Sequence, residues 1–264
     1  MTVYREDTMK KTLAIAVLSL LALPAAALAE INMYGPGGPH TALQEAAKLY
    51  TAKTGVKIVV NFGPQAKWNE NAKKDADILF GASEQSALAI TRDHGDRFDE
   101  KNIEPLALRK SILLVKKGNP KNIKGVKDLA RPGIGIIVND GGGKSNTSGT
   151  GVWEDIAGRT GDIATVAAIR KNIKVFTPNS GSSRKALETM DGADVWITWA
   201  DWAISNPGIG EAVEIEPEYV ILRDMNINVR KDADKETRDF AKWLHSAEAE
   251  PALKKFGWFK KAEK

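Results

Sequence analysis

Short apolar, β-branched runs alternate with stretches of helical periodicity along most of the chain, and this alternation predicts an α/β protein with mainly parallel strands. The first helix shows the pattern: Leu43, Ala46, Ala47 and Tyr50 recur at the spacing that forms one apolar helix face. Gly55 follows directly after the last turn, where glycine commonly ends a helix.

The same patterns predict the remaining elements and their division into two lobes. Strands are predicted over residues 31–34, 56–62, 76–80, 111–116, 134–139, 174–177 and 195–198. Helices are predicted over residues 40–53, 84–93, 152–158 and 183–190, with a last helical region in which Thr237, Phe240, Ala241 and Leu244 share a face. Residues 106–117 and 219–229 are predicted to carry the chain between two sheets. The resulting lobes are 30–108 with 223–264, and 109–222.

The first 29 residues have the layout of a secretory signal peptide. Lys10 and Lys11 precede an apolar run of about twelve residues, and small residues ending in Ala-Leu-Ala precede Glu30. The alternative is a transmembrane anchor, but a run this short does not span the hydrocarbon core of a bilayer comfortably. We therefore predict export to the periplasm and a mature chain that starts at Glu30.

Composition narrows the functional classes. The chain has no cysteine, which excludes disulfides, thiol nucleophiles and thiolate metal sites, so its stability must come from an ordinary hydrophobic core. The net charge of +4 is small and scattered, which favours a solvated surface over nucleic-acid binding. Three histidines without metal-type spacing predict no metal site, and no cofactor is expected.

Catalytic motifs are equally scarce. Residues 141–145 read Gly-Gly-Gly-Lys-Ser, but the first glycine of a phosphate loop is replaced by Val138. No Gly-x-Ser-x-Gly nucleophile elbow is present. The sequence therefore predicts a binding protein rather than an enzyme.

One sequence pattern recurs four times: a predicted strand ends, a loop rich in Gly, Ser, Thr or Asn follows, and a predicted helix begins. It occurs at residues 35–39, 81–83, 147–151 and 178–183. In open parallel sheets, ligands bind outside the carboxyl ends of the strands, where helix N-termini present unpaired N–H groups. Four such loops around one cleft predict a site for a small anion. Trp68, Trp153 and Trp199 lie beside these loops, and the sequence leaves open whether they line the cleft or pack beneath it.

Four segments carry a resemblance to a known family: YGPGGPH (34–40), NFGPQAKWN (61–69), ADILFGASEQ (76–85) and NTSGTGVW (146–153). They closely resemble the accessory colonization factor AcfC and Paa adhesin group of the type II periplasmic solute-binding proteins. The resemblance implies two lobes, each with a mainly parallel sheet flanked by helices, joined by two crossover strands. It also implies an oxyanion or a small multiply charged acid as the ligand, such as citrate or phosphoglycerate, and a homodimer.

The resemblance further implies a set of ligand contacts. Backbone amides of Gly37 and Gly38 and the hydroxyl of Ser83 would come from the first lobe. The second lobe would supply a clamp and further donors, formed by Ser148, Gly149, Thr150, Gly151, Asn179, Ser180, Gly181 and Ser182. Lys67 and Arg184 are predicted as cations from their positions alone. The abundance of lysine near these loops argues against a simple sulfate or molybdate ligand, because those sites are built with neutral donors.

Two functions follow. The first is capture of the anion in an interlobe cleft, with delivery to an ABC-type membrane transporter. The alternative is a surface adhesin that binds a host surface and in which the ligand cleft is secondary.

Overall fold

The computed structural model describes residues 30–143 and 147–261. The predicted signal peptide, residues 1–29, and Lys144, Ser145 and Asn146 lie outside the described residues. Within the described ranges, no helix is long and apolar enough to cross a membrane.

The first half of the chain alternates strands and helices as the patterns predict. Its elements are β1 (Glu30–Gly35), α1 (His40–Thr54), β2 (Lys57–Phe62), α2 (Asn69–Asp75), β3 (Ile78–Gly81), α3 (Glu84–Asp93) and the long β4 (Ile103–Val115). The predicted apolar face of α1 is buried, and Gly55 ends the helix in the left-handed conformation with φ 78°.

The second half continues the alternation and returns to the first sheet. Its elements are β5 (Ile136–Asn139), α4 (Val152–Gly158), α5 (Ile163–Asn172), β6 (Ile173–Thr177), α6 (Ser180–Thr189), β7 (Val195–Trp199), α7 (Ala200–Ser205), β8 (Glu211–Glu214), β9 (Leu222–Val229), α8 (Lys235–Leu244) and α9 (Glu250–Lys254).

The strand order is β2-β1-β3-β9-β4-β7-β5-β6, with β8 also paired to β4. Strands β1, β2 and β3 are mutually parallel, and so are β5, β6 and β7. Strand β4 belongs to both groups, because its first part pairs with β9 and its last part with β7. The predicted two-sheet α/β fold with two crossover strands, β4 and β9, is confirmed.

The strand directions make the carboxyl ends of the two sheets face each other. Strands β3 and β4 run the same way because both are antiparallel to β9, whereas β7 is antiparallel to β4. Gly81, the last residue of β3, pairs with Asn226 of β9, which in turn pairs with Pro105, so β3 ends at the level of Pro105 on β4. Trp199, the last residue of β7, pairs with Ser111, so β7 ends at the level of Ser111. The stretch of β4 between those two levels is about 20 Å long. All the predicted anion loops therefore lie on facing edges.

Each sheet has its own hydrophobic core. The first draws only on residues 31–107 and 225–258, and the second only on residues 112–221. The predicted face of α8 is buried in the first core, with Phe240 and Leu244 fully enclosed.

The structure corrects the start of one predicted helix and adds four elements that were not predicted, α2, α5, α7 and β8. Helix α6 begins at Ser180 rather than at residue 183, because the Asn179 side chain caps it by accepting a hydrogen bond from the Ser182 N–H at 2.9 Å. Helix α5 was not predicted, since among its residues only Ile169 is buried and no apolar stripe marks it. Strand β8 was missed because it is short and mostly exposed.

We predict that Phe240→Ala lowers the free energy of unfolding by about 3–5 kcal/mol, because it opens a cavity in the first core. Phe62→Ala, at a side chain 43% exposed, is the matched control and should cost no more than about 1.5 kcal/mol, the range for one aromatic pair. Urea unfolding of the two variants measures the difference, and equal losses would contradict the assignment of Phe240 to the core.

Candidate functional site

A buried arginine stands between the facing edges of the two sheets. Arg109 lies on β4, between the levels of the β3 and β7 carboxyl ends, and its side chain is fully buried. Its Nη1 lies 2.8 Å from both carboxylate oxygens of Asp201, in the first turn of α7. Its Nη2 donates to the Ala82 carbonyl in the β3–α3 loop at 3.1 Å. One guanidinium therefore connects a loop of the first sheet with a helix of the second.

The β1–α1 loop packs directly against this ion pair. A Cβ atom at Gly38 would lie 2.7 Å from Arg109 Nη1 and 3.2 Å from Asp201 Oδ2. Only glycine allows the backbone to approach so closely. At Gly37 the nearest atom to such a Cβ would be in the Trp202 ring, at 3.9 Å, which is an ordinary contact.

Two tryptophans enclose the guanidinium. The Arg109 Cζ lies 4.8 Å from the ring centre of Trp199 and 4.6 Å from that of Trp258, at cation–π distance. Burial lowers the pKa of Arg109 and raises the pKa of Asp201, while the attraction between the two groups opposes both shifts. The pair is therefore held together in a dry environment, where its mutual attraction is strong.

On the facing edge, Asn139 connects the two predicted loops of the second sheet. It is the last residue of β5, and its Nδ2 donates to Ser180 Oγ at 3.0 Å while its Oδ1 accepts from Thr147 Oγ1 at 3.3 Å. Gly149 lies against the same residue, because a Cβ there would be 2.4 Å from the Asn139 carbonyl oxygen. The loop at 147–151 and the start of α6 are thus held side by side.

The 147–151 loop is also braced internally. Thr150 Oγ1 accepts from the Thr147 N–H at 2.9 Å and donates to the Asp140 carbonyl at 3.3 Å. Ser148 is buried, and Gly151 caps α4 in the left-handed conformation with φ 76°. These contacts fix the loop without using all of its amide donors.

Ser83 is the N-cap of α3 and is almost completely buried. Its Oγ accepts from the Ser86 N–H at 3.2 Å, and Ser86 Oγ returns the contact by accepting from the Ser83 N–H at 3.1 Å. The Ser83 hydroxyl proton remains available, since a hydroxyl can accept and donate at once.

At α6, the Asn179 side chain is engaged in capping, and Gly181 is exposed in the first turn. The two predicted cations lie further out. Arg184 pairs with Glu188 at 3.2 Å and donates to Asn206 at 2.9 Å, while Lys67 lies exposed in the turn after β2. Among residues 30–143 and 147–261, no hydrogen bond or ion pair joins either cation to the Asn139 or Arg109 contacts described above. The role in ligand binding of all the predicted contact residues stays a prediction.

The three tryptophans whose position the sequence left open are all buried. Trp68 packs against Tyr34 with ring centres 5.9 Å apart and donates its indole N–H to the Gly63 carbonyl at 3.1 Å. Trp153 lies in the second core, and Trp199 lies beneath the Arg109 guanidinium.

His40 begins α1 at the same edge. Its ring stacks on Phe62 with centres 3.8 Å apart, and its Nδ1 forms a hydrogen bond with the Gly37 carbonyl. Burial lowers the pKa of His40, while the Gly37 carbonyl and the nearby Asp201 act in the opposite direction.

The comparison with known families agrees with this architecture. A profile of the family described as "Bacterial extracellular solute-binding protein" matches residues 31–259. The chain belongs to this family of solute-binding proteins. The family description also places such proteins outside the cytoplasm, in line with the predicted export.

Solved structures show a near relative. Peb3 from Campylobacter jejuni is 57% identical, with a TM-score of 0.83, over 88% of this chain and 100% of that one. PEB3 bound to L-phospholactate gives the same identity and coverage, with a TM-score of 0.84. The AcfC and Paa names from the sequence resemblance remain a prediction, while the solute-binding family itself is confirmed.

More distant relatives share the fold or part of the sequence. The sulfate-binding protein of Salmonella typhimurium is 27% identical over 166 residues, which are 55% of this chain and 49% of that protein. The chain thus spans about half the length of this relative. The molybdate-binding protein of Azotobacter vinelandii is 16% identical with a TM-score of 0.65, over 88% of this chain and all of that one, and shows the fold alone.

Sequence reasoning missed the central residues of this solute-binding protein. Asn139 and Asp201 could have been found, because each stands at or just after the carboxyl end of a parallel strand, where ligand-site residues concentrate. Arg109 gave a weaker signal, a charge inside an apolar strand. Among residues 30–143 and 147–261, no group of three or more acidic or histidine side chains could hold a metal ion.

We predict that Arg109→Met lowers the free energy of unfolding by about 3–5 kcal/mol, because it leaves the Asp201 carboxylate buried without a partner. The double variant Arg109→Met/Asp201→Leu should lose less than the single variant, since both charges are gone. Lys110→Met, which removes the exposed neighbouring pair with Glu214, should cost about 0–1 kcal/mol. Urea unfolding measures all three, and a loss below 1 kcal/mol for Arg109→Met would contradict a desolvated ion pair.

Proposed function

We propose that this protein captures a small, multiply charged organic anion between its two lobes, residues 30–108 with 223–264 and residues 109–222. The observation that carries the proposal is the facing arrangement of the two carboxyl edges across Arg109. Loops with free amide and hydroxyl donors line both edges, and no chemical step is required of them.

The donor type supports an anion. Helix α1 begins beside Gly37 and Gly38, and α4 begins beside Thr150 and Gly151, on the two facing edges. The first turn of each helix offers N–H groups and the positive end of a dipole, which favour an anion. Arg109 lies between the two edges, but Asp201 neutralises its charge. Such a site suits a ligand whose charge is spread over several oxygens.

The relatives support the ligand class. A protein 57% identical binds L-phospholactate, an acid with one phosphoryl and one carboxyl group, and more distant relatives are sulfate-binding proteins. We therefore place this chain with binders of phosphorylated or tricarboxylic acids rather than of a bare oxyanion. After export to the periplasm, it would deliver this ligand to a membrane transporter.

We predict that ligand-stripped protein binds at least one of L-phospholactate, 3-phosphoglycerate and citrate more tightly than sulfate or molybdate. A ligand at about a hundred times its Kd stabilises the folded state by about 2.7 kcal/mol, which a thermal-shift panel detects and titration calorimetry quantifies. Lactate, which has a single carboxyl group, and glycerol, which has no acidic group, are the negative controls. If none of the three organic acids binds, or if sulfate or molybdate binds more tightly than all of them, the proposal is wrong.

We also predict that Gly38→Ala weakens binding of the tightest ligand in this panel at least tenfold, whereas Gly37→Ala changes it less than threefold. The two variants add the same methyl group to neighbouring residues, but only the one at Gly38 meets Arg109 and Asp201. The added atom must therefore displace either the β1–α1 loop or the Arg109–Asp201 pair, and a shift of either next to the ligand costs binding energy. Equal effects of both substitutions in calorimetry would remove Gly38 from the site.

A further inference from the structure

Two arginines stand directly opposite each other on the crossover strands. Arg109 on β4 and Arg223 on β9 are register partners in the antiparallel pair, so their side chains leave the sheet on the same face. Like charges in this arrangement repel: burial is the main cause of the lowered pKa of Arg109, and the repulsion from Arg223 adds to it. A protein under no other demand has no reason to keep two cations here.

The two guanidinium groups differ in the hydrogen-bond acceptors that lie within reach of their N–H groups. Arg109 has Asp201 and the Ala82 carbonyl at 2.8–3.1 Å. The nearest carboxylate to Arg223 is Asp155, with a separation of 3.7 Å between Nη2 and Oδ2, which is too long for a hydrogen bond. Among the described residues, no acceptor lies within hydrogen-bonding distance of the Arg223 guanidinium.

Arg223 is nevertheless well positioned. Its side chain is only 18% exposed, and its Cζ lies 5.6 Å from the ring centre of Trp199, which also contacts Arg109. Asp155, its distant partner, is in the first turn of α4, the helix that follows the 147–151 loop. The free donors of Arg223 therefore lie between the shared tryptophan and the helix start of the second lobe.

We propose that Arg223 binds an oxyanion group of the ligand directly, with the fork of its guanidinium. This inference rests on the proposed function, and it assigns to Arg223 the main full positive charge of the proposed binding site. Arg109, neutralised by Asp201, is then a positioning residue, whereas Arg223 is the contact. A guanidinium presents paired donors that match a phosphoryl or carboxyl group, and an arriving anion relieves the repulsion between the two arginines.

The experiment compares wild-type protein with Arg223→Gln, Arg223→Lys and Lys110→Gln. Lys110 is the matched control: it follows Arg109 on β4, points to the opposite face and loses the same charge. The affinities for L-phospholactate and citrate are measured by calorimetry, and the melting temperature of ligand-free protein is recorded for each variant.

We expect Arg223→Gln to bind at least about tenfold more weakly than wild type, the scale of one charged hydrogen bond, and Lys110→Gln to bind within twofold. Arg223→Lys should lie between, because it keeps the charge and loses the fork. Ligand-free Arg223→Gln should melt no lower than wild type, since the repulsion with Arg109 is removed.

Each other outcome overturns the inference in a distinguishable way. If wild type binds neither acid, the proposed function fails for these ligands and the inference fails with it. If wild type binds and Arg223→Gln binds within twofold, or no more weakly than Lys110→Gln, only the role of Arg223 is wrong. If Arg223→Gln and Arg223→Lys bind equally poorly and both melt below wild type, Arg223 is a structural residue.

Discussion

The buried ion pair between Arg109 and Asp201 is the contact on which the arrangement of the two sheets depends. Strands β4 and β9 are the two crossover strands, and two neighbouring strands alone leave the sheets some freedom to change their angle. The guanidinium removes part of that freedom, because it holds Ala82 of the first sheet and Asp201 of the second at hydrogen-bonding distance. Its desolvation is offset by the carboxylate and by two tryptophan rings, so the contact favours the arrangement in which the carboxyl edges face each other.

This constraint determines which residues can occupy the adjacent loops. The backbone at Gly38 passes so close to the pair that no side chain fits, and Ser83 is small enough to be buried beside Ala82 while still capping α3. On the opposite edge, Asn139 plays the equivalent part with neutral groups, since one amide side chain joins two loops. The loops that follow β1 and β3 are thus held by a charged group, and the loops that follow β5 and β6 by neutral hydrogen bonds.

Most of the fold could be predicted from the sequence, because local patterns determine its elements. The buried face of α1, the start of α3 at Glu84 and the buried face of α8 all lie at the predicted positions. The site could be predicted only as loops. Arg109 and Asp201 lie 92 positions apart, and nothing local to either shows that they meet. Helix α5 could not be predicted for a different reason: it buries so few side chains that its sequence shows no apolar periodicity.

The placement of the cations on strands rather than on loops has a physical consequence. A lysine on a loop, such as the exposed Lys67, can follow a ligand but loses side-chain entropy when it does. An arginine on a crossover strand is held by the sheet, so its charge is already in place before any partner arrives. Arg109 and Arg223 are register partners on the two crossover strands, so both charges lie in the region between the two sheets.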